Sequence, residues 1–111
     1  MARKASTKRA KTEEEELREY ELIVIFNPEI TEDRLNAVMG KMNQFITEKG
    51  GTPPTVEPWG KRKLAYPIKR SLEGNYVLVH FQMSPKWTKD LEVDLHISEE
   101  VLRHLLVRLS G

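Results

Sequence analysis

Cysteine is absent from this chain of 111 residues. Its absence excludes disulfides, thiolate nucleophiles and cysteine-ligated metal centres, and it fits a reducing, cytoplasmic setting. Long apolar runs are absent too. The longest, Leu22 to Phe26, has five residues, whereas a membrane-spanning helix needs about 20. Net charge is almost absent: 18 Lys and Arg stand against 17 Asp and Glu, for a formal +1. A chain so balanced attracts polyanions only where its cations are segregated. Two stretches each gather five cations with no acid among them, Met1 to Lys11 and Pro58 to Leu72.

Catalytic groupings are missing as well. His80, His96 and His104 lack the spacing of metal ligands, and each reads as a packing or contact residue. Gly50-Gly51 lacks the Lys-Ser/Thr that completes a phosphate loop, and it ends a helix instead. Glu13 to Glu16 form a solvated run, not a paired acid and base. With no groups to assemble into a pocket, the expectation is a protein that is not an enzyme, with no cofactor, no metal and no small-molecule substrate.

What is present stands out at residues 59–70, W-G-K-R-K-L-A-Y-P-I-K-R. Lys61, Arg62, Lys63, Lys69 and Arg70 fall there, with Trp59 and Tyr66 flanking the basic triplet. Cations neutralise phosphates and release counterions, and flat rings stack on bases or pack on a strand's flank. Two readings compete on physics alone. One is RNA binding; the other is a solvated edge strand whose lysines prevent aggregation. Leu64, Ala65 and Ile68 serve the fold in either case.

Residues 1–18 read as a charged, flexible N-terminal extension, and 19–111 as a single domain. Thr12 and Glu15 have the spacing of a capping box. The Glu run argues against an organellar transit peptide, which is poor in acids. Tyr20 to Phe26 reads as a central strand, because Leu22, Val24 and Phe26 point one way while Ile23 and Ile25 point the other. Its second face needs a cover, which in a domain this small a partner protein can supply. Asn27-Pro28 breaks the strand.

Thr31 to Lys49 reads as a helix. Thr31 caps it, Ile30 and Leu35 have staple spacing, and Gly50-Gly51 stops it. Its buried stripe is Leu35, Val38, Met39, Met42, Phe45, Ile46 and Lys49. Gly40 is expected to admit a close strand. Pro53, Pro54, Pro58 and Pro67 confine any strand over 52–68 to a sheet edge. Lys69 to Gly74 reads as a turn and Asn75 to Met83 as a strand. Ser84-Pro85 opens a second helix, anchored by Leu91 and Leu95 and by Trp87. Glu99 to Leu109 fits helix or strand; a fourth strand completes a split βαβ unit. The expected fold is therefore α+β and ferredoxin-like (βαββαβ): a four-stranded antiparallel sheet ordered 4-1-3-2, with two helices on one face.

The stretch from Arg18 to Leu109 resembles the bacterial small-subunit ribosomal protein six family. The resemblance rests on Arg18-Glu19-Tyr20-Glu21, Phe26-Asn27-Pro28, the 59–70 motif, Gly74 to Leu78 and Val101 to Arg108. His104 departs from it, since that position more often holds another ring or an aliphatic. The resemblance implies a non-enzymatic structural constituent of a cytoplasmic small ribosomal subunit. It further implies binding to the central domain of small-subunit (16S-type) rRNA, as a heterodimer with small-subunit ribosomal protein eighteen. No membrane is implied. The expected RNA contacts are Lys61, Arg62, Lys63, Lys69 and Arg70, with Arg18, Arg103 and Arg108 on or near the two central strands. The expected partner interface is Ile23, Ile25, Trp59, Tyr66, Tyr76, Leu78 and His80, on the sheet face that carries no helix.

Three alternatives share parts of this pattern. A stand-alone RNA-recognition-motif-like binder of single-stranded RNA has the same strand order, but it needs stacking rings where Ile23 and Ile25 stand. An acylphosphatase-like enzyme needs a phosphate-cradling loop where Asn27-Pro28-Glu29-Ile30 stands. A protein-interaction module would use Lys61 to Lys63 only to blunt its edge.

Overall fold

The structure, a computed structural model, describes residues 16–109. The Thr12–Glu15 capping turn and the basic arm from Arg3 to Lys11 lie outside the described residues. The elements run β1 (Arg18–Phe26), α1 (Glu32–Glu48), β2 (Thr55–Ile68), β3 (Ser71–Met83), a short 3-10 turn (Pro85–Trp87), α2 (Thr88–Ile97) and β4 (Val101–Arg108). The sheet order is β2-β3-β1-β4, antiparallel throughout, which is the expected 4-1-3-2 arrangement. β2 is an outer strand, as its prolines require.

β1 alternates as its sequence demands. Leu22, Val24 and Phe26 are fully buried, together with Val77, Val79, Phe81 and Met83 of β3. Met42 and Ile46 of α1 and Leu91 and Leu95 of α2 join the same cluster, so both helices cover one face. Burying each such side chain is worth roughly 1.5–3 kcal/mol. At the N-terminus of α1, the Thr31 hydroxyl accepts from the Arg34 amide. Its other end closes with paired bonds: Gly51 N–H to Ile46 O at 2.8 Å and Gly50 N–H to Thr47 O at 3.1 Å. Gly50 takes φ 85°, which a side chain resists. Lys49, included in the buried stripe, lays its ammonium over the Trp87 ring at 4.4 Å and over Phe45 at 5.6 Å.

Several expectations need correcting. Gly40 admits no strand: a Cβ there meets nothing within 4 Å. The turn expected over Lys69 to Gly74 is only Lys69 and Arg70, both left-handed (φ 49° and 68°), and β3 begins at Ser71 rather than Asn75. Two positive φ values are what a tight hairpin needs to follow the strand twist. Gly74 looked like a turn glycine, but it sits buried in β3 where a side chain would overlap Ile25 Cγ2. Ser84 makes no side-chain cap; the chain first winds through the 3-10 turn, and α2 starts at Thr88. The last strand is Val101–Arg108, inside the expected Glu99–Leu109.

β4 and the residue before it, Glu100, are tied to the helix layer by two pairs. His104 Nε2 lies 3.2 Å from Glu92 Oε1 of α2, a polar partner that suits a histidine at this position. Arg34 of α1 donates twice to Glu100, and Ser98 Oγ donates to the other carboxylate oxygen at 3.0 Å. The Arg34 bonds, then a backbone N–H and Ser98, hold the Glu100 carboxyl below its ordinary range.

Two outcomes are expected. Gly40→Ala raises unfolding free energy by up to about 1 kcal/mol, whereas Gly50→Ala lowers it by about 1 kcal/mol; urea denaturation reads both. A depressed carboxyl stabilises the fold above its unfolded pKa and loses that contribution as pH falls through its folded pKa. Arg34→Ala therefore returns Glu100 toward an ordinary carboxylate pKa, which a side-chain NMR titration below pH 5 reads out.

Candidate functional site

Strand pairing maps the helix-free face, because paired residues share a face and faces alternate along each strand. Val107, Glu21, His80 and Thr55 form one row across the sheet. Leu105, Ile23, Leu78 and Glu57 form the next, and Arg103, Ile25, Tyr76 and Gly60 the third. The centre is apolar, with Ile23, Ile25, Tyr76 and Leu78 half-buried. Glu21 stands in the end row and Glu57 on the β2 edge of the next; at the other end stand Arg103 and the β2–β3 hairpin.

That hairpin bends over the face. The β2–β3 register slips between Pro58 and Gly60 and again between Lys63 and Ile68. Such bulges sharpen twist and re-aim side chains. The second slip lays Leu64 over Ile25 and Gly74, where it is 9% exposed. Tyr66 reaches across the sheet, and its hydroxyl accepts from Arg103 Nη1 at 2.6 Å. At the tip, Lys69 Nζ donates to the Val101 carbonyl at 3.4 Å. A groove of about 250 Å³ remains beneath, lined by Ile23, Ile25, Leu64, Tyr66, Tyr76 and Leu105 among others. At the first slip, Trp59 stacks on Tyr76 (centroids 6.4 Å apart, 12° between planes), and Arg62 lies over Trp59 at 5.4 Å.

All seven residues expected at a partner interface thus fall on this one face. The eight expected RNA cations do not form one patch. Lys61, Arg62, Lys63, Lys69 and Arg70 share the hairpin and are exposed. Arg103 lies at the hairpin end of the face, bonded to Tyr66. Arg18 and Arg108 lie level with Met83 and Tyr20, so they sit on the helix side at the far end of the sheet. Only Arg18 is on a central strand; Arg103 and Arg108 belong to outer strand β4. Arg18 pairs with Glu16 at 3.1 Å. Burial pushes the Tyr20 phenol up, and the charges of Arg108 and Arg18 partly offset this.

Sequence reasoning missed Leu105 and Val107, which are 52% and 40% exposed beside Ile23 and Glu21. It missed Glu21 and Glu57 on the same face. The alternation in Arg103-His104-Leu105-Leu106-Val107 was the available signal, but choosing the face required the register with β1. A larger groove, about 810 Å³, runs between α1 and α2 over Val38, Met42, Phe45, Leu91 and Leu95. It holds none of the cations or rings of the 59–70 motif. Among the described residues, no cluster of His, Asp and Glu could hold a metal, and no helix is long and apolar enough to cross a membrane.

Leu64→Ala uncovers Ile25 and is expected to cost about 2 kcal/mol, the low end for a buried leucine, because the site is shallow. Thermal or urea unfolding checks this; a change below about 0.5 kcal/mol, as at ordinary surface sites, would show that the hairpin cover is not packed.

Comparison with known proteins gives the same picture. The family described as Ribosomal protein S6 matches residues 19–108. A small ribosomal subunit protein bS6 from Moorella thermoacetica is 39% identical over 94 residues, covering 85% of this chain and 96% of that one. Its counterpart in Clostridium acetobutylicum is 41% identical over 94 residues, covering 85% and 99%. The 30S ribosomal protein S6 of Thermotoga maritima superposes with a TM-score of 0.77 at 28% identity, covering 85% of this chain and 89% of that one. This chain belongs to the ribosomal protein S6 family, a family of bacterial small-subunit structural proteins and not of enzymes.

Proposed function

We propose that this protein helps build the small subunit of the cytoplasmic ribosome by binding the central domain of 16S-type rRNA jointly with small-subunit ribosomal protein eighteen. One observation carries the reading. The sheet has an apolar face without helices, and a cationic hairpin adjoins it. The apolar centre around Ile23, Ile25, Tyr76, Leu78 and Leu105 suits a protein surface, since burying it in water-free contact is favourable. Trp59, Tyr66 and His80 frame that contact. Glu21 and Glu57 on the same face suit the cations of a basic partner.

The cations of the hairpin, Lys61, Arg62, Lys63, Lys69 and Arg70, supply attraction to phosphate, and Arg103, Arg18 and Arg108 add positive potential further away. Such binding reads backbone and shape more than base edges. A stand-alone reader of single strands is disfavoured because Ile23 and Ile25 hold the positions its rings would need, and Trp59 and Tyr76 are stacked on each other.

A tagged copy drawn from cells is expected to bring down small-subunit rRNA and a small basic ribosomal protein; recovery of neither would overturn the reading. Leu105→Glu, on the exposed part of the face, is expected to weaken binding to ribosomal protein eighteen at least tenfold, about 1.4 kcal/mol, while circular dichroism stays native. Unchanged affinity would remove the sheet face from the interface.

A further inference from the structure

The basic triplet Lys61-Arg62-Lys63 looks like one charge cluster, but the strand splits it. Lys61 is level with Asn75, and Asn75 with Phe26, whose ring is buried on the helix side. Lys63 is level with Glu73, two residues further along the same side. Arg62 is level with Gly74, whose missing side chain would point at Ile25 Cγ2 on the helix-free face. The rings give an independent fix. Arg62 lies over Trp59, and Trp59 is stacked on Tyr76, which shares its row with Ile25.

We propose that the hairpin is two-faced: Lys61 and Lys63 are its phosphate contacts, whereas Arg62 is a positioning residue that holds Trp59 against Tyr76 for the protein partner. This rests on the reading of the hairpin as the RNA-facing element. Lys61 and Lys63 are exposed and spaced roughly 7 Å apart along the strand; Lys61 is level with the last residue of β1, Phe26, and Lys63 lies beyond that end. An ammonium on a flexible stem suits a point contact to phosphate. A guanidinium is planar and weakly hydrated, so it stacks well on an indole. Arg62 therefore lies over Trp59, itself stacked on Tyr76, at the rim of the apolar face. Its charge contributes to the potential there without a contact to RNA.

The test titrates a 16S-type central-domain rRNA fragment with the full chain held in saturating ribosomal protein eighteen, at several salt concentrations. Each lost phosphate contact lowers the slope of log K against log salt by about 0.7–0.9. Lys61→Ala with Lys63→Ala is expected to lower it by roughly twice that amount. Arg62→Ala is expected to leave the slope unchanged and to weaken binding of the partner protein severalfold. In a Trp87→Phe background, Arg62→Ala also makes Trp59 emission more easily quenched by acrylamide, and the lysine variants do not. If Arg62→Ala lowers the slope like a single lysine variant, or leaves Trp59 quenching unchanged, the two-faced assignment is overturned. If no variant moves the slope, the two-faced assignment is overturned, and an unchanged slope on further adding Lys69→Ala with Arg70→Ala overturns the RNA reading of the hairpin itself.

Discussion

β1 is apolar on both faces, and the rest of the structure follows from that. Leu22, Val24 and Phe26 cannot be satisfied by one side of a sheet while Ile23 and Ile25 face water on the other. The strand must be central, flanked by β3 and β4, with a cover above and below. The helix layer supplies one cover through Met42, Ile46, Leu91 and Leu95. Placing β1 and β3 in the middle leaves β2 and β4 outside. Those outer strands then carry what an edge requires: prolines and register slips in β2, arginines in β4.

The second cover is only partly built by the chain itself. Leu64 closes over Ile25, and Tyr66 reaches Arg103, yet Ile23, Leu78, Leu105 and Val107 remain accessible beyond the arch. An apolar surface left open in this way has a cost in water. In the same hairpin that brings Leu64 inward, the cations stay exposed. One hairpin thus joins folding to the proposed recognition: its apolar residues serve the sheet, and its charged ones are those proposed to meet RNA.

Much of this was legible in the sequence because it was local. The cap at Thr31, the stop at Gly50-Gly51 and the Met and Phe stripe of α1 each depend on residues within a few positions of one another. The strand order followed from completing a split βαβ unit, and composition agreed with it, since prolines excluded residues 52–68 from the middle of a sheet and a doubly apolar run demanded it. The parts that were missed depend on distant neighbours. Lys69-Arg70 has no turn-forming residue, and its tip is held by the Val101 carbonyl 32 residues away. Gly74 is small because of Ile25, not because of a turn, and Gly40 faces open space where a packing role was expected. The site divided the same way. The cations announced themselves as a cluster, but which side each one faces is a property of the register, and the register contains two slips that no propensity reveals.

The central claim is that the second face of β1 is an interface. The most direct measurement is an isoleucine-methyl NMR titration of the full chain with small-subunit ribosomal protein eighteen. Ile23 and Ile25 lie under the proposed contact, whereas Ile97 on α2 is 70% exposed on the opposite side of the molecule. The account predicts that the Ile23 and Ile25 methyl signals shift on addition of the partner while Ile97 stays in place. A shift at Ile97 with Ile23 and Ile25 unmoved would contradict it.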